Sequence, residues 1–329
     1  MRNVELRVVE QVIVKHEGSL TSGVEHLHIC PSAQSKGKAL TETSDVNLLV
    51  VVAHSSAVAL EALESVGLAP SGQVLALNSY ENRVYQIGLE EGAPLVAKFY
   101  RPGRWTDAAI LEEHAFVQEL VEREIPVVPA LVLEGKTLHS FEGFRFAVFP
   151  KHGGRAPELE GRSTLEWMGR FLGRIHAVGA LKPFRERPTL DIASFGERPR
   201  DYLLAHGFIP ADLDAAYRSA VDQALDGVRH CFARAGEVRA LRLHGDCHVG
   251  NVLWTDVGPH FVDFDDSRMG PAVQDLWMLL SGDRADMVRQ LLMFARGTQG
   301  ERVLIQTSQI VKDLQEFGGG KLILRRRTV

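Results

Sequence analysis

Three side chains set the chemistry this chain can attempt. They are Asp246, Asn251 five residues later, and Asp263 twelve residues after that, lying between short apolar runs that read as strands. Asp246 and Asn251 share the stretch His244-Gly245-Asp246-Cys247-His248-Val249-Gly250-Asn251, and Asp263 sits in Val262-Asp263-Phe264-Asp265-Asp266. A carboxylate can accept the proton of an attacking hydroxyl, while an amide oxygen and a second carboxylate hold a magnesium ion against the phosphates of ATP. Taken singly, Asp246 is an ordinary turn residue and Asp263 a strand-end carboxylate; together with Asn251 they point to phosphoryl transfer. His244, Asp246, Cys247 and His248 also admit a metal hydrolase, because imidazoles and carboxylates two apart can share a cation. Against it, no second cluster of His ligands appears, and Lys98 would have no part in such a site.

The elements that must position these groups divide into a strand-rich half and a helical half. Val58, Leu60, Ala62, Leu63 and Val66 are spaced for an amphipathic helix ending at Gly67. Residues 74–77, 84–89 and 95–100 read as three strands, with Lys98 on the same face as Val96 and Tyr100. Thr106 caps a predicted helix running to about Arg123 and containing both Glu112 and Glu113, with Pro126 and Pro129 stopping it. Segments 130–133 and 144–149 complete the strand-rich half, and a hinge is expected at Pro150-Lys151-His152-Gly153-Gly154. Beyond it, Ser163-Thr164-Leu165-Glu166 fits a capping box, and Leu165, Met168, Phe171, Leu172 and Ile175 form one apolar helix face. Leu213, Tyr217, Ala220, Val221, Ala224, Leu225, Val228 and Phe232 do the same for a second long helix. Asp275 is expected to cap the helix after Gly270-Pro271 or to brace the backbone of the 244–251 loop. His248 is read as a residue that shapes that loop, and Cys247 as an inert, partly buried thiol.

A chain of 329 residues with 45% hydrophobic content can bury a sizeable core and support two lobes. Its net charge of −5 argues against a nucleic-acid binder, which would show a basic face. The most apolar run, residues 46–53, falls well short of the roughly 20 residues a bilayer span needs, so no membrane association is expected. Three widely spaced cysteines, Cys30, Cys231 and Cys247, suit a reducing compartment, and a cytoplasmic location is inferred by elimination.

A strand lysine, a helix glutamate and then the Asp, Asn, Asp set follow one another as the working parts do in a protein-kinase-like fold. Residues 244–251, 262–266 and 270–280 resemble the aminoglycoside phosphotransferase and choline kinase superfamily. Leu-Asn-Ser-Tyr-Glu-Asn-Arg-Val-Tyr-Gln (77–86), Lys-Phe-Tyr-Arg-Pro (98–102) and Phe-Ala-Val-Phe-Pro (146–150) look specifically like the bacterial stress response kinase A family. The similarity runs from about residue 56 to about 296. It implies an α+β, bilobal kinase-like fold with a small antiparallel-sheet N-lobe (55–150) holding one main helix, and a larger, mainly helical C-lobe (151–296). It further implies ATP, Mg2+ and transfer to Ser/Thr hydroxyls of proteins in envelope and oxidative stress responses, by a chain expected to act as a monomer.

By motif position, Asp246 would be the catalytic base, Asn251 and Asp263 the magnesium ligands, Lys98 the phosphate anchor and Glu113 its partner. Glu113 is preferred to Glu112 because the matching glutamate in related kinases lies at a similar distance before the Val-Pro that follows the helix. Ser79 to Arg83 would cover the phosphates in place of a glycine-rich loop, Ser79 and Asn82 donating hydrogen bonds by side chain as well as backbone; Phe149 and Lys151 complete the expected ATP contacts. Residues 1–54 depart from the family as an added segment, and 297–329 as a short unrelated tail that replaces further aromatic-rich helices. A C-lobe cut short in this way would leave the apolar faces near Leu276 to Leu292 without cover. Two other functions fit the same motifs: a small-molecule kinase acting on an aminoglycoside, choline or homoserine-like hydroxyl, and a non-catalytic nucleotide-binding remnant.

Overall fold

The computed structural model describes residues 56–297 other than Asn78 and Tyr80. The segment before residue 55 and the tail beyond 297, singled out above as departures, lie outside the described residues, as does the expected loss of helices there. Helix α1 (Ser56–Glu64) leads into an antiparallel five-stranded sheet of order β1-β2-β3-β5-β4, formed by Pro70–Leu77, Arg83–Leu89, Leu95–Phe99, His139–Phe141 and Phe144–Pro150. Ala59, Ala62 and Leu63 of α1 pack against Tyr85, Ile87, Ala97, Phe99, Phe146 and Val148. Because strand side chains alternate, Ala97 and Phe99 turn to α1 while Lys98 points to the opposite face, where the cleft lies.

The fourth strand is not the predicted one. Residues 130–133 follow Pro129 and contribute only a Leu131 N–H bond to the Val148 carbonyl and an isolated Leu133–Lys136 bridge. The strand forms instead at His139–Phe141, pairing with β5 around Glu142 and Gly143, both at positive φ. Three residues carry too short a pattern for periodicity to register.

Helix α2 (Asp107–Val121) is capped as expected, with Thr106 Oγ1 accepting from the Ala109 N–H at 3.1 Å, an interaction of about 1 kcal/mol. Its Phe116, Val117 and Leu120 join the main core with Leu165, Met168, Leu172 and Ile175 of α3 (Arg162–Gly179). Each of these buried side chains stabilises the fold by about 1.5–3 kcal/mol. Helix α3 has Gly161, not Ser163, at its cap, and Glu166 pairs with Arg162 rather than reaching back to close a capping box.

A 5-residue π-turn (Ala193–Glu197) precedes helices α4 (Arg198–Ala205) and α5 (Asp214–Ala235). The apolar periodicity of α5 is real, yet among its described residues only Leu225 is buried, and Val228 remains 41% exposed. Short strands β6 (Leu241–Leu243), β7 (Val252–Thr255), β8 (Gly258–Phe261) and β9 (Arg268–Gly270) then carry the two site loops. The chain continues through α6 (Val273–Trp277) and α7 (Arg284–Gly297).

Most of the cover expected to be missing near Leu276 to Leu292 is present, although Trp277 and Leu292 each remain 38% exposed. Leu276, Leu279, Leu291 and Phe294 are at most 1% exposed and belong to the main core. Helix α7 lies so close on α3 that a Cβ at Gly169 would overlap the Phe294 backbone, which accounts for a glycine in mid-helix despite its cost of about 1 kcal/mol relative to alanine. Among the described residues no helix is long and apolar enough to cross a membrane.

Candidate active site

Between β6 and β7 the chain is held by a buried carboxylate. Asp275 on α6 is fully buried and accepts the backbone N–H groups of His244 at 3.0 Å and Gly245 at 2.8 Å, and pairs with His176 Nε2 at 2.9 Å. It therefore braces the loop and does not cap a helix, and His176 on α3 packs behind it. His244 Nε2 lies 3.0 Å from the Val262 carbonyl, so it carries the proton there and leaves Nδ1 to accept the Asp246 N–H at 3.4 Å. Gly245 adopts φ +89°, and a Cβ there would run into the Asp266 carbonyl, so the two site loops can approach only at a glycine. His248 Nδ1 accepts the Gly250 N–H at 2.9 Å, shaping the turn as expected. Cys247 is fully buried, and burial pushes its thiol well above the ordinary range, consistent with an inert role.

Asp246 projects from this braced turn. Burial, with the Asp266 and Asp263 carboxylates adding to it, raises its pKa against the opposing influence of His248 and His244. Asn251 donates its amide to the Asp246 carbonyl at 2.9 Å and to its carboxylate at 3.3 Å, leaving the amide oxygen as the group able to meet a cation. The Asn251 carbonyl also accepts the Val262 N–H at 3.0 Å, which sets Asn251 beside the residue preceding Asp263. Asp263 stands at φ +60°, ψ +66°, a left-handed conformation aspartate tolerates, while Phe264 anchors the turn in the core against Phe116 and His244.

Lys98 reaches this loop from the sheet. Its Nζ lies 2.6 Å from Asp263 Oδ1 and 3.6 Å from Asp265 Oδ1. Although burial would raise it, the Lys98 charge and hydrogen bond hold the Asp263 carboxyl below the usual carboxylate range. The expected Lys98–Glu113 ion pair is not formed: among the described residues, the carboxylates in contact with Lys98 are Asp263 and Asp265. Glu113, not Glu112, is the glutamate facing inward, at 4% exposed; Glu112 instead accepts the backbone N–H groups of Arg185 and Glu186.

Burial drives Glu113 up to about 7, against the nearby charges of Arg187 and Lys98. The adjacent His114, bonded to Tyr100 Oη and Thr137 Oγ1 at 2.8 Å each, is lowered by burial to about 4. A carboxyl whose folded value exceeds its unfolded value of roughly 4.3 stabilises the protein fully below that value and loses the contribution as pH rises through 7. Glu113→Gln should therefore remove about 2–3 kcal/mol of the stability decline between pH 5 and 8. Urea unfolding at both pH values checks this; a decline of equal size in wild type and variant would show Glu113 to be ionised throughout.

The turn over the cleft is only partly as expected. Ser79 Oγ accepts the Asn82 N–H at 3.3 Å, but the Asn82 side chain is committed on both sides, accepting from Arg101 N at 3.1 Å and donating to Asp265 Oδ2 at 3.0 Å. Asn82 thus connects the lobes, with one N–H of its amide given to Asp265 and the second not engaged by that bond. Phe149 is half-buried beside His114, and Lys151 is exposed just past β5. Three residues that sequence reasoning passed over complete the site. Arg104 pairs with Asp265 at 2.6 Å and Asp266 at 2.9 Å. Arg187 is buried and donates to the carbonyls of Ala109, Asp265 and Ser267, pinning the start of α2 to the Asp263 loop. Asp265, two residues beyond Asp263, receives Asn82, Lys98 and Arg104.

A lysine and a carboxylate loop facing each other across a cleft between a sheet lobe and a helical lobe invite comparison with known proteins. The sequence profile of the phosphotransferase enzyme family matches residues 73–305. The chain belongs to the phosphotransferase enzyme family. Within that family this phosphotransferase groups with stress response kinase A, as its motifs indicated. It is 46% identical over 232 residues to stress response kinase A of Escherichia coli (strain K12), covering 70% of each chain. It is 45% identical over 232 residues to serine/threonine protein kinase RdoA of Salmonella typhimurium, again covering 70% of each. Among solved structures, a microcompartment-associated aminopropanol kinase superposes with a TM-score of 0.62 at 18% identity, covering 79% of this chain and 85% of that one. An amicoumacin kinase in complex with AMP-PNP, Ca2+ and Ami gives 0.59 at 19% identity, covering 78% and 83%. At such identities the solved structures establish the fold of the phosphotransferase, bilobal and protein-kinase-like.

Proposed function

We propose that this phosphotransferase is an ATP-dependent kinase that moves the γ-phosphoryl group of ATP, with Mg2+, to Ser/Thr hydroxyls of proteins in a bacterial stress response. The observation that carries the reading is the convergence of Lys98 from the sheet lobe with Asp263 at 2.6 Å, beside the braced loop that presents Asp246. Asp246 accepts the proton of the acceptor hydroxyl as its oxygen bonds to phosphorus and the bond to ADP breaks. Its raised pKa suits a base better than an ordinary aspartate would. Lys98 anchors the phosphates, and the backbone of the 79–83 turn covers them. Phe149 and Lys151 border the nucleotide at the hinge, where we place the division between lobes (55–150 and 151–296).

The hard oxygens of Asn251 and Asp263 fit magnesium. Bound there, the ion would neutralise charge developing on the transferred phosphoryl group. The protein acceptor rests on the likeness to stress response kinase A and to serine/threonine protein kinase RdoA. The free Cys231 and Cys247 fit a reducing cytoplasm.

The test is label transfer from γ-labelled ATP, with Mg2+ supplied, to generic Ser/Thr protein substrates and to the enzyme itself. Labelled protein is the expected result. Label appearing only on small alcohols such as choline or aminoglycosides would replace the protein acceptor with a small molecule. ATP binding without turnover would leave a nucleotide-binding protein.

A further inference from the structure

Asp265 is placed differently from its neighbour Asp263. The Asp263 side chain is 48% exposed and opens into the cleft, whereas that of Asp265 is 4% exposed. Buried, it nevertheless meets three side chains of the opposite lobe. Oδ2 accepts Arg104 Nη1 at 2.6 Å and Asn82 Nδ2 at 3.0 Å, and Oδ1 faces Lys98 Nζ at 3.6 Å. Oδ1 has no hydrogen-bond partner, and a buried carboxylate oxygen is costly to leave that way unless a charge faces it. Lys98 is that charge. The three contacts come from separate pieces of the sheet lobe: the turn over the cleft, strand β3, and the loop leading into α2. Asn82 extends the link by accepting the Arg101 N–H, so the turn, the lysine and the loop are all referenced to one carboxylate.

We propose that Asp265 is the positioning residue of this site, orienting Lys98 in the place expected of Glu113 and setting the closure of the sheet lobe on the Asp263 loop. Asp263 is unsuited to that job because its open carboxylate is the one available to other ligands. Glu113 is unsuited because it forms no ion pair with Lys98 and acts on it only at longer range. Through these contacts Asp265 fixes where Lys98 and the turn over the cleft stand. The inference rests on the kinase reading for its consequence in nucleotide binding, but the lobe contact itself can be measured without nucleotide.

Two readouts therefore test it in the full-length protein: hydrogen–deuterium exchange of peptides covering 79–104 without nucleotide, and calorimetric affinity for AMP-PNP with Mg2+. Asp265→Asn keeps the shape and removes the charge. It is expected to raise exchange across 79–104 at least threefold and weaken AMP-PNP tenfold or more, a larger loss than Glu113→Gln causes. Arg104→Gln, which removes one arm of the contact from a partly exposed position, should raise exchange in the same peptides and serves if Asp265→Asn does not fold. Unchanged exchange in whichever variant folds, or a greater affinity loss in Glu113→Gln than in Asp265→Asn, overturns the proposal. Failure of the wild type to bind AMP-PNP would instead sink the kinase reading and leave the exchange result to decide the lobe contact.

Discussion

Asp246→Asn is expected to lower phosphoryl transfer by about a hundredfold or more while nucleotide affinity stays close to wild type, because the substitution removes a base and little else. The loop does not depend on the carboxylate for its shape: Asp275 holds the His244 and Gly245 N–H groups, and Asn251 keeps its 2.9 Å bond to the Asp246 main-chain carbonyl. Lys98 lies across the cleft in contact with Asp263 and Asp265, so removing Asp246 should change kcat and spare the KM for ATP. Lys98→Met should do the reverse in part, raising that KM as well. The pH profile supplies a second signature. Asp246 works ionised and its pKa is raised, chiefly by burial, so wild-type kcat/KM should fall on the acid side at a higher pH than a free aspartate would give. That limb should vanish from the residual activity of Asp246→Asn. Equal turnover in wild type and variant would remove Asp246 from the mechanism.

How much of this was legible in the sequence depended on the range of the interactions involved. The lobes, α2 with its Thr106 cap, and the loop with Asp246 and Asn251 come from local pattern: periodicity, a capping residue, polar groups at fixed spacing between apolar runs. That one of the adjacent Glu112 and Glu113 turns inward follows from helix geometry, and it is Glu113 that is buried, without an ion pair to Lys98. What could not be read were pairings across long separations in the chain. Nothing near Lys98 indicates that it meets Asp263 and Asp265 rather than Glu113, and nothing near Arg104 or Arg187 marks either as bridging lobes. Asn82 lies in the turn that the resemblance places over the phosphates, and no local signal marks its bond to Asp265, 183 residues away. The apolar stripe of α5 shows the converse limit, for periodicity reports a capacity to be buried, and among the described residues only Leu225 uses it.

Asp275→Ala should be the most damaging substitution for stability. The side chain is fully buried and serves three donors, the N–H groups of His244 and Gly245 and the ring of His176. Truncation strands all of them in the interior, where each unsatisfied group costs about 1–3 kcal/mol and loss of one partner of a buried pair costs about 3–5 kcal/mol. Set against a typical total of about 5–15 kcal/mol, that is enough to unfold a marginal protein, and a urea midpoint measured at neutral pH would register it. The milder Asp275→Asn separates charge from shape. Burial alone would raise the Asp275 carboxyl, but its bond to His176, with the His176 and His244 imidazoles beside it, holds it below the ordinary carboxylate range. A depressed folded value means stability that is fully present above the unfolded value of roughly 3.9 and is lost as pH falls through the folded one. Wild type should therefore lose this contribution in acid while Asp275→Asn, lacking it already, shows a flatter acid limb; parallel limbs would show that the carboxylate is not charged in the native state. The same variant ties stability to catalysis. With the His244 and Gly245 N–H groups less firmly held, the turn that must thread Gly245 past the Asp266 carbonyl loosens, and Asp246 moves with it. The predicted signature is a lower kcat at unchanged ATP affinity, because Lys98 and Asp263 are held by contacts that Asp275 does not make.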